Sequence, residues 1–226
     1  MHPYVTDSKE RITIPLCVAG ASLIIAWIAA AIKLPMSWWL RAPFVLAVYA
    51  VISIIFDRQL WRWNYLRGIG LVKLPDMSGV WSGHILSSFD GLKREIPVNM
   101  QITQNWRTIY ITLTTEKSRS HSVLAGITIS NSGTATLSYE YANEPRRDTL
   151  YNMQVHIGRA RLTLGNENGK DVLTGDYYSG GDRHTYGIIN LERTSTELPN
   201  LLTVDTDSLA EMSASASSVG SESVGT

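Results

Sequence analysis

Two apolar stretches, residues 12–34 and 38–56, stand back to back near the N-terminus with only Pro35-Met36-Ser37 between them, and the chain is never as apolar again. A bilayer core about 30 Å thick is crossed by roughly 20 apolar helical residues. Both stretches are long enough, and so short a connection folds them into a tight hairpin. The pattern predicts a two-helix transmembrane hairpin over residues 12–56, preceded by a cytoplasmic N-terminal segment, 1–11. A cleaved signal peptide is the competing reading of the first stretch, because Ala29 and Ala31 form a small-residue cleavage pattern. The stretch exceeds the roughly 7–15 apolar residues of a signal core, and a second span follows at once, so an uncleaved anchor is expected.

Lys9 and Arg11 precede the first span, and Arg58, Arg62, Arg67 and Lys73 follow the second, whereas only Lys33 and Arg41 flank the connection. By the positive-inside rule both termini of such a multi-pass chain face the cytoplasm. Cys17 is the single cysteine. No intrachain disulfide can form, which suits a reducing compartment. Over residues 76–194 twelve basic residues balance twelve acidic ones, so no basic face points to DNA or RNA.

Beyond Phe56 a juxtamembrane helix and linker, 57–75, interleaves Trp61, Trp63 and Tyr65 with arginines, as expected of an interfacial anchor. From residue 79 the pattern changes to short alternating segments broken by turn residues. Eight strands are predicted: 79–89, 95–104, 108–115, 120–130, 134–142, 152–165, 170–179 and 185–193. Asp90-Gly91, Asn131-Ser132-Gly133, Asn168-Gly169 and Gly180-Gly181-Asp182 are hairpin chemistry. Successive short hairpins make an antiparallel meander, and eight strands suffice to close an up-and-down, lipocalin-like barrel over residues 76–194 with room for one small ligand. The Ser-, Thr-, Ala- and Gly-rich tail, 195–226, is expected to be disordered.

No catalytic constellation emerges. The five histidines show neither i, i+4 pairing nor a cysteine partner, so no metal site is expected, and G-x-S-x-G, Walker and G-x-G-x-x-G motifs are missing. Binding chemistry is better represented. Tyr139, Tyr141 and Asn143 share one face of a strand; they either fill a barrel or stack on a flat heterocycle beside an amide. Arg146 and Arg147 follow in a longer loop, either solvated or closing over a phosphate. Trp106-Arg107, the hydroxyl run Ser118-Arg119-Ser120 and His156 carry the same two readings, and Tyr177 joins the candidate ligand set. Trp81 and Arg193, at the start of the first strand and the end of the last, suit an aromatic plug under a cationic lid. In the first span Ser22, Ala26 and Ala30 recur every four residues, a small-residue ridge for helix packing within the hairpin or between copies.

The order of two spans, Gly79-x-Trp81, residues 114–122, Tyr139-x-Tyr141-x-Asn143-x-Pro145, His156-x-Gly158, Leu173-x-Gly175-x-Tyr177 and Gly187-Ile188-Ile189-Asn190-Leu191-Glu192-Arg193 resembles the SMODS-associated two-transmembrane β-strand-rich effectors of CBASS antiphage defence, the Cap-fifteen type of CD-NTase-associated protein. The resemblance covers residues 12–193 and leaves out the tail. It implies a non-enzymatic receptor without cofactor, whose eight-stranded barrel binds a cyclic dinucleotide made by a partner CD-NTase. Binding would drive homo-oligomerisation, and the spans would then breach the inner membrane, an abortive infection. A membrane-tethered carrier of an apolar small molecule is the alternative reading of the residues themselves, and an assembly barrel with no ligand is a third.

Overall fold

A computed structural model of the chain describes residues 1–33, 37–145, 156–180 and 184–196. Among these residues its centre is a closed barrel of nine strands, antiparallel except where β1 lies parallel to β5: β1 (His2–Thr6), β2 (Gly79–Ser87), β3 (Glu95–Gln104), β4 (Thr108–Thr114), β5 (Ser118–Ile129), β6 (Ala135–Pro145), β7 (His156–Glu167), β8 (Lys170–Ser179) and β9 (Tyr186–Ser195). β2 to β9 follow one another as the meander predicts, and β9 returns to pair with β2. Five of the expected strand boundaries shift by two or three residues and the start of β7 by four, while β3 and β8 run over the expected residues. Asn168 and Gly169 both have positive φ, 52° and 81°, the geometry of a two-residue hairpin loop whose twist matches its strands.

The ninth strand is β1, in a segment that sequence reading treated as an N-terminal tail. β4 and β5 pair only over Thr112–Thr114 with Arg119–His121 and diverge below that. β1 fills the gap, antiparallel to β4 through His2↔Ile109 and parallel to β5 through Tyr4↔Ala125. Five residues with one buried side chain, Tyr4, carry little of the period-2 signal a sequence reader needs. The position is fixed instead by tertiary bonds. Tyr4 Oη donates to Trp106 O at 3.0 Å, His2 Nε2 meets Ser122 Oγ at 2.7 Å, and Asp7 Oδ1 accepts from Ile129 N at 3.1 Å.

Two helices leave the barrel, α1 (Glu10–Ala31) and α2 (Arg41–Arg58), and pack along each other. Ile14, Val18, Ser22 and Ala29 are the buried positions of α1 above Glu10, one stripe at helical spacing. Ser22 Oγ bonds back to Val18 O at 2.8 Å; Ala26 is half-buried on the same side and Ala30 is exposed. Of the two spans expected over residues 12–34 and 38–56, the first is matched. Among the described residues one helix, α1, is long and apolar enough to cross a membrane. α2 begins at Arg41 after a 3-10 turn, Trp38–Leu40, and ends in Asp57-Arg58, so its 18 residues include three charges. The connection at Pro35-Met36, the loop arginines Arg146 and Arg147, and the tail from residue 197 lie outside the described residues.

The juxtamembrane helix is also corrected. α2 stops at Gln59 (φ −133°), a 3-10 turn spans Leu60–Arg62, and a short α3 covers Asn64–Gly68. The break turns Trp61 into the bottom of the barrel, where it is fully buried, while Trp63 stays 59 % exposed. Trp61 and Trp106 stand 6.2 Å apart and Phe56 meets Trp106 edge-on at 5.3 Å, so the helices and the barrel share one apolar cluster. Truncating a buried tryptophan costs about 3–5 kcal/mol. Trp61→Ala is therefore expected to lower the chemical-denaturation stability of the barrel by that order, and Trp63→Ala to leave it within about 0.5 kcal/mol, both read by circular dichroism of the detergent-solubilised chain.

Candidate functional site

One end of the barrel is sealed. Trp81 is fully buried there, its Nε1 donating to Met77 O at 3.0 Å. The Arg193 guanidinium lies 4.5 Å from the Trp81 ring centroid, donates to Asp76 O at 2.6 Å and pairs with Asp171 at 3.2 Å. Below them Gln104, wholly buried, accepts from Met77 N at 2.8 Å and donates to Pro75 O at 3.2 Å. A guanidinium over an indole face is attractive in its own right, and each hydrogen bond satisfies a group that burial would otherwise leave costly.

Because the strands run up and down, the connections alternate between ends. The β3–β4 connection lies at the sealed end; the β2–β3, β4–β5 and β8–β9 connections lie at the other, where a cavity of about 190 Å³ opens. Its wall is built by alternation. Ser118 and Ser120 of β5 point inward while Arg119 is exposed; Tyr139, Tyr141 and Asn143 point inward from β6; Tyr177 and Ser179 do so from β8. Ile85, Ile96, Leu113 and Ile189 supply an apolar floor, and Arg94, Glu116, Lys117 and His156 bring ionisable groups to the lining.

Two inward-facing glycines make room for the aromatics. A Cβ on Gly158 would stand 2.4 Å from the Tyr141 ring, and one on Gly187 would stand 2.5 Å from the Tyr177 ring and 2.0 Å from Leu86 O. Each ring thus comes against bare backbone, where a side chain would exclude it. The Tyr139 and Tyr141 centroids are 6.1 Å apart, and His156 sits edge-on to Tyr141 at 6.5 Å. Tyr141 Oη and Ser179 Oγ are 3.4 Å apart, and Thr115 Oγ1 and Ser118 Oγ 3.1 Å apart. The set offers stacking faces, hydroxyls, an amide and two cations, the chemistry of a nucleobase with a phosphate rather than of a pure hydrocarbon.

Of the residues singled out from sequence, Tyr139, Tyr141, Asn143, Ser118, Ser120, His156 and Tyr177 come together in this cavity. Trp106 and Arg107 do not. They occupy the sealed end, where Trp106 packs on Phe56 and Trp61, and Arg107 pairs with Asp57 at 3.5 Å. Arg119 lies on the outer surface, its strand partner Glu144. Sequence reasoning missed Arg94, Lys117, Thr115, Ser87, Ser179 and Thr185. The signal for Arg94 and Lys117 was present: in a meander their hairpins share an end with the loop after Asn143.

A small closed barrel, sealed by a Trp–Arg plug at one end and open at the other onto aromatic, hydroxyl and cationic side chains, is a small-ligand receptor. The family model described as Cap15, cyclic dinucleotide receptor domain, matches residues 72–193, more than half of the chain. The chain belongs to that family, and its ligand is a cyclic dinucleotide. No curated protein matches the sequence. Among the described residues no group of His, Cys, Asp and Glu is placed to hold a metal ion.

Burial pushes the Tyr139 hydroxyl well above its usual range, and the neighbouring Tyr141 adds to this; Tyr4, at the other end, is pushed up to about 12, chiefly by burial. A raised tyrosine pKa means that stability is fully present below the unfolded value near 10 and is lost as pH rises through the folded values. The urea midpoint is expected to stay level from about pH 7 to pH 9 and to fall steadily above about pH 10. Tyr139→Phe should flatten part of that fall.

Proposed function

We propose that this chain is a membrane-anchored CBASS effector in which the open end of the barrel takes a cyclic dinucleotide supplied by a partner nucleotidyltransferase. The observation that carries the reading is the cavity itself. Tyr141 and Tyr177 rest against Gly158 and Gly187, beside Asn143, Ser118 and Ser120, with Arg94 and Lys117 in the lining. The tyrosines stack on a base, Asn143 and the serines answer its polar edge and the ribose, and Arg94 and Lys117 neutralise phosphate. Arg146 and Arg147, outside the described residues, are assigned to the phosphate set on their chemistry alone. His156 contributes an imidazole within reach of either part.

The cavity, about 190 Å³, is smaller than the roughly 300–1,000 Å³ of sites that enclose a drug-sized molecule. One nucleotide of the ligand sits deep and the other at the mouth, where a second barrel can cover it. That arrangement supports ligand-driven assembly of the barrels. α1 with its exposed Ile12, Leu16, Leu23, Ile24 and Trp27 supports the anchor, since such a surface is unfavourable in water. α2 completes a second span beside it, its charges at the two ends, and both termini lie on the cytoplasmic side of the inner membrane. Assembly gathers the spans and disrupts the bilayer, so the infected cell dies first.

Removing one partner of a charged hydrogen bond costs about 1.5–3 kcal/mol, or roughly ten- to a hundredfold in affinity. Calorimetric titration of the full chain in nanodiscs with a panel of cyclic dinucleotides should therefore find one member bound. Its affinity should be weakened at least tenfold by Arg94→Ala and by Lys117→Ala, and left within twofold by Arg107→Ala at the sealed end. Equal effects of all three would remove the cavity from the binding reading. For the spans, Ala26→Leu should spare binding and reduce toxicity in cells at equal membrane abundance. Undiminished toxicity would exclude the Ser22–Ala26 ridge from the lytic step.

A further inference from the structure

Arg62 and Arg193 meet residue 76 below the sealed end, one at its carboxylate and one at its backbone carbonyl, and Arg67 stands in their field. Arg62 Nε lies 3.2 Å from Asp76 Oδ2, Arg193 donates to Asp76 O, and Arg67 has Asp76, Arg62 and Arg193 as its charged surroundings. Asp76 is already engaged, since Oδ1 also accepts from Ser78 N and from the Ser78 hydroxyl, and Arg193 has Asp171 besides. Arg67 is the remainder. Its Nε and Nη2 are buried with no hydrogen-bond partner among the described residues, and its guanidinium stands 5.9 Å from the Trp61 ring centroid. Burial, with Arg62 and Arg193 behind it, lowers its pKa. Positive charge is in excess at this spot, and an anion is what it lacks.

The surroundings specify which anion. Arg67 lies on α3, whose Tyr65 is exposed along with Trp63 just before it and Ile69 just after it. This segment sits at the foot of α1, because Lys73 N donates to Glu10 Oε1 at the first turn of that helix. Exposed indole and phenol rings beside arginine, at the start of an apolar helix, are the composition of a headgroup layer. A phosphodiester oxygen can accept from the guanidinium of this half-buried arginine, a planar and weakly hydrated cation that Lys would replace with a compact point charge.

We propose that Arg67, seated against Trp61, is a binding site for the phosphate of an anionic phospholipid, with Trp63 and Tyr65 lying in the headgroup layer around it. The site holds the sealed end of the barrel down on the bilayer and leaves the ligand cavity facing away from it. It is separate from the cyclic dinucleotide cavity, at the opposite end of the barrel, and it rests on the membrane-anchored reading above.

The test uses the full chain purified in a non-ionic detergent and adds dioctanoyl phosphatidylglycerol, dioctanoyl phosphatidylcholine or inorganic phosphate. Native mass spectrometry counts bound lipid, and tryptophan fluorescence follows thermal unfolding. The expected result is saturable binding of phosphatidylglycerol with a raised unfolding midpoint, weakened at least fivefold in Arg67→Gln and partly retained in Arg67→Lys. Equal retention of phosphatidylcholine, an equal response to inorganic phosphate alone, or phosphatidylglycerol binding unchanged in Arg67→Gln would each overturn the lipid site. Should Arg67→Gln fail to fold, the Arg67→Lys comparison and the wild-type lipid selectivity decide alone. Membrane fractionation of cells expressing the chain separates the two readings. Recovery in the soluble fraction would remove the anchor and the site together, whereas a membrane-bound chain indifferent to phosphatidylglycerol would remove only the site.

Discussion

A closed barrel has two ends, and burying tryptophan in one of them decides what the other can do. Trp81 on its Met77 carbonyl, Arg193 across its face, and Trp61 with Trp106 beneath fill the lower end so completely that Trp61 and Trp81 have no exposed surface. The helices join through the same plug, because Trp61 follows α2 directly and Phe56 lies against Trp106. Apolar helices, plug and open cavity are therefore stacked in that order. Tyr4 ties the N-terminal strand into the same end, its hydroxyl donating to Trp106 O and accepting from Gln104 Nε2. Loosening the plug would thus disturb the helices and the barrel together.

The upper end is polar for a matching reason. With the lower half holding the large apolar side chains, the upper half of the same strands is free to carry Ser118, Ser120, Asn143 and Ser179, each buried. Buried hydroxyls and amides need partners, and an open cavity lets a ligand be one of them. Gly158 and Gly187 then do by omission what the serines do by presence. Without a Cβ, each leaves room for an aromatic ring against the barrel wall.

Most of the barrel was legible because period-2 alternation and turn residues are local signals: Asn168-Gly169 and Asp90-Gly91 mark their hairpins directly. β1 was not, because five residues wedged between β4 and β5 are held by tertiary bonds rather than by pattern. Trp61 misled for a related reason. An indole among arginines reads as an interfacial anchor, and only the break at Gln59 turns it under the barrel. Asp57 and Arg58 lengthen α2 past its apolar run, a boundary that hydropathy alone leaves loose. In the site, inward parity correctly grouped Tyr139, Tyr141 and Asn143, and the meander's alternation of ends, had it been applied to Trp106 and Arg107, would have sent them to the sealed end. The same alternation would have brought Arg94 and Lys117 in.

The receptor reading stands most directly on where a cyclic dinucleotide sits. Photocrosslinking of an azido-substituted cyclic dinucleotide to the full chain in nanodiscs, followed by peptide mapping, tests this without relying on any substitution. Labelling concentrated on β6 and β8 around Tyr139, Tyr141 and Tyr177, and competed away by unmodified ligand, is the expected result. Competed labelling confined to the Trp106 end or to the outer surface of the barrel would contradict it.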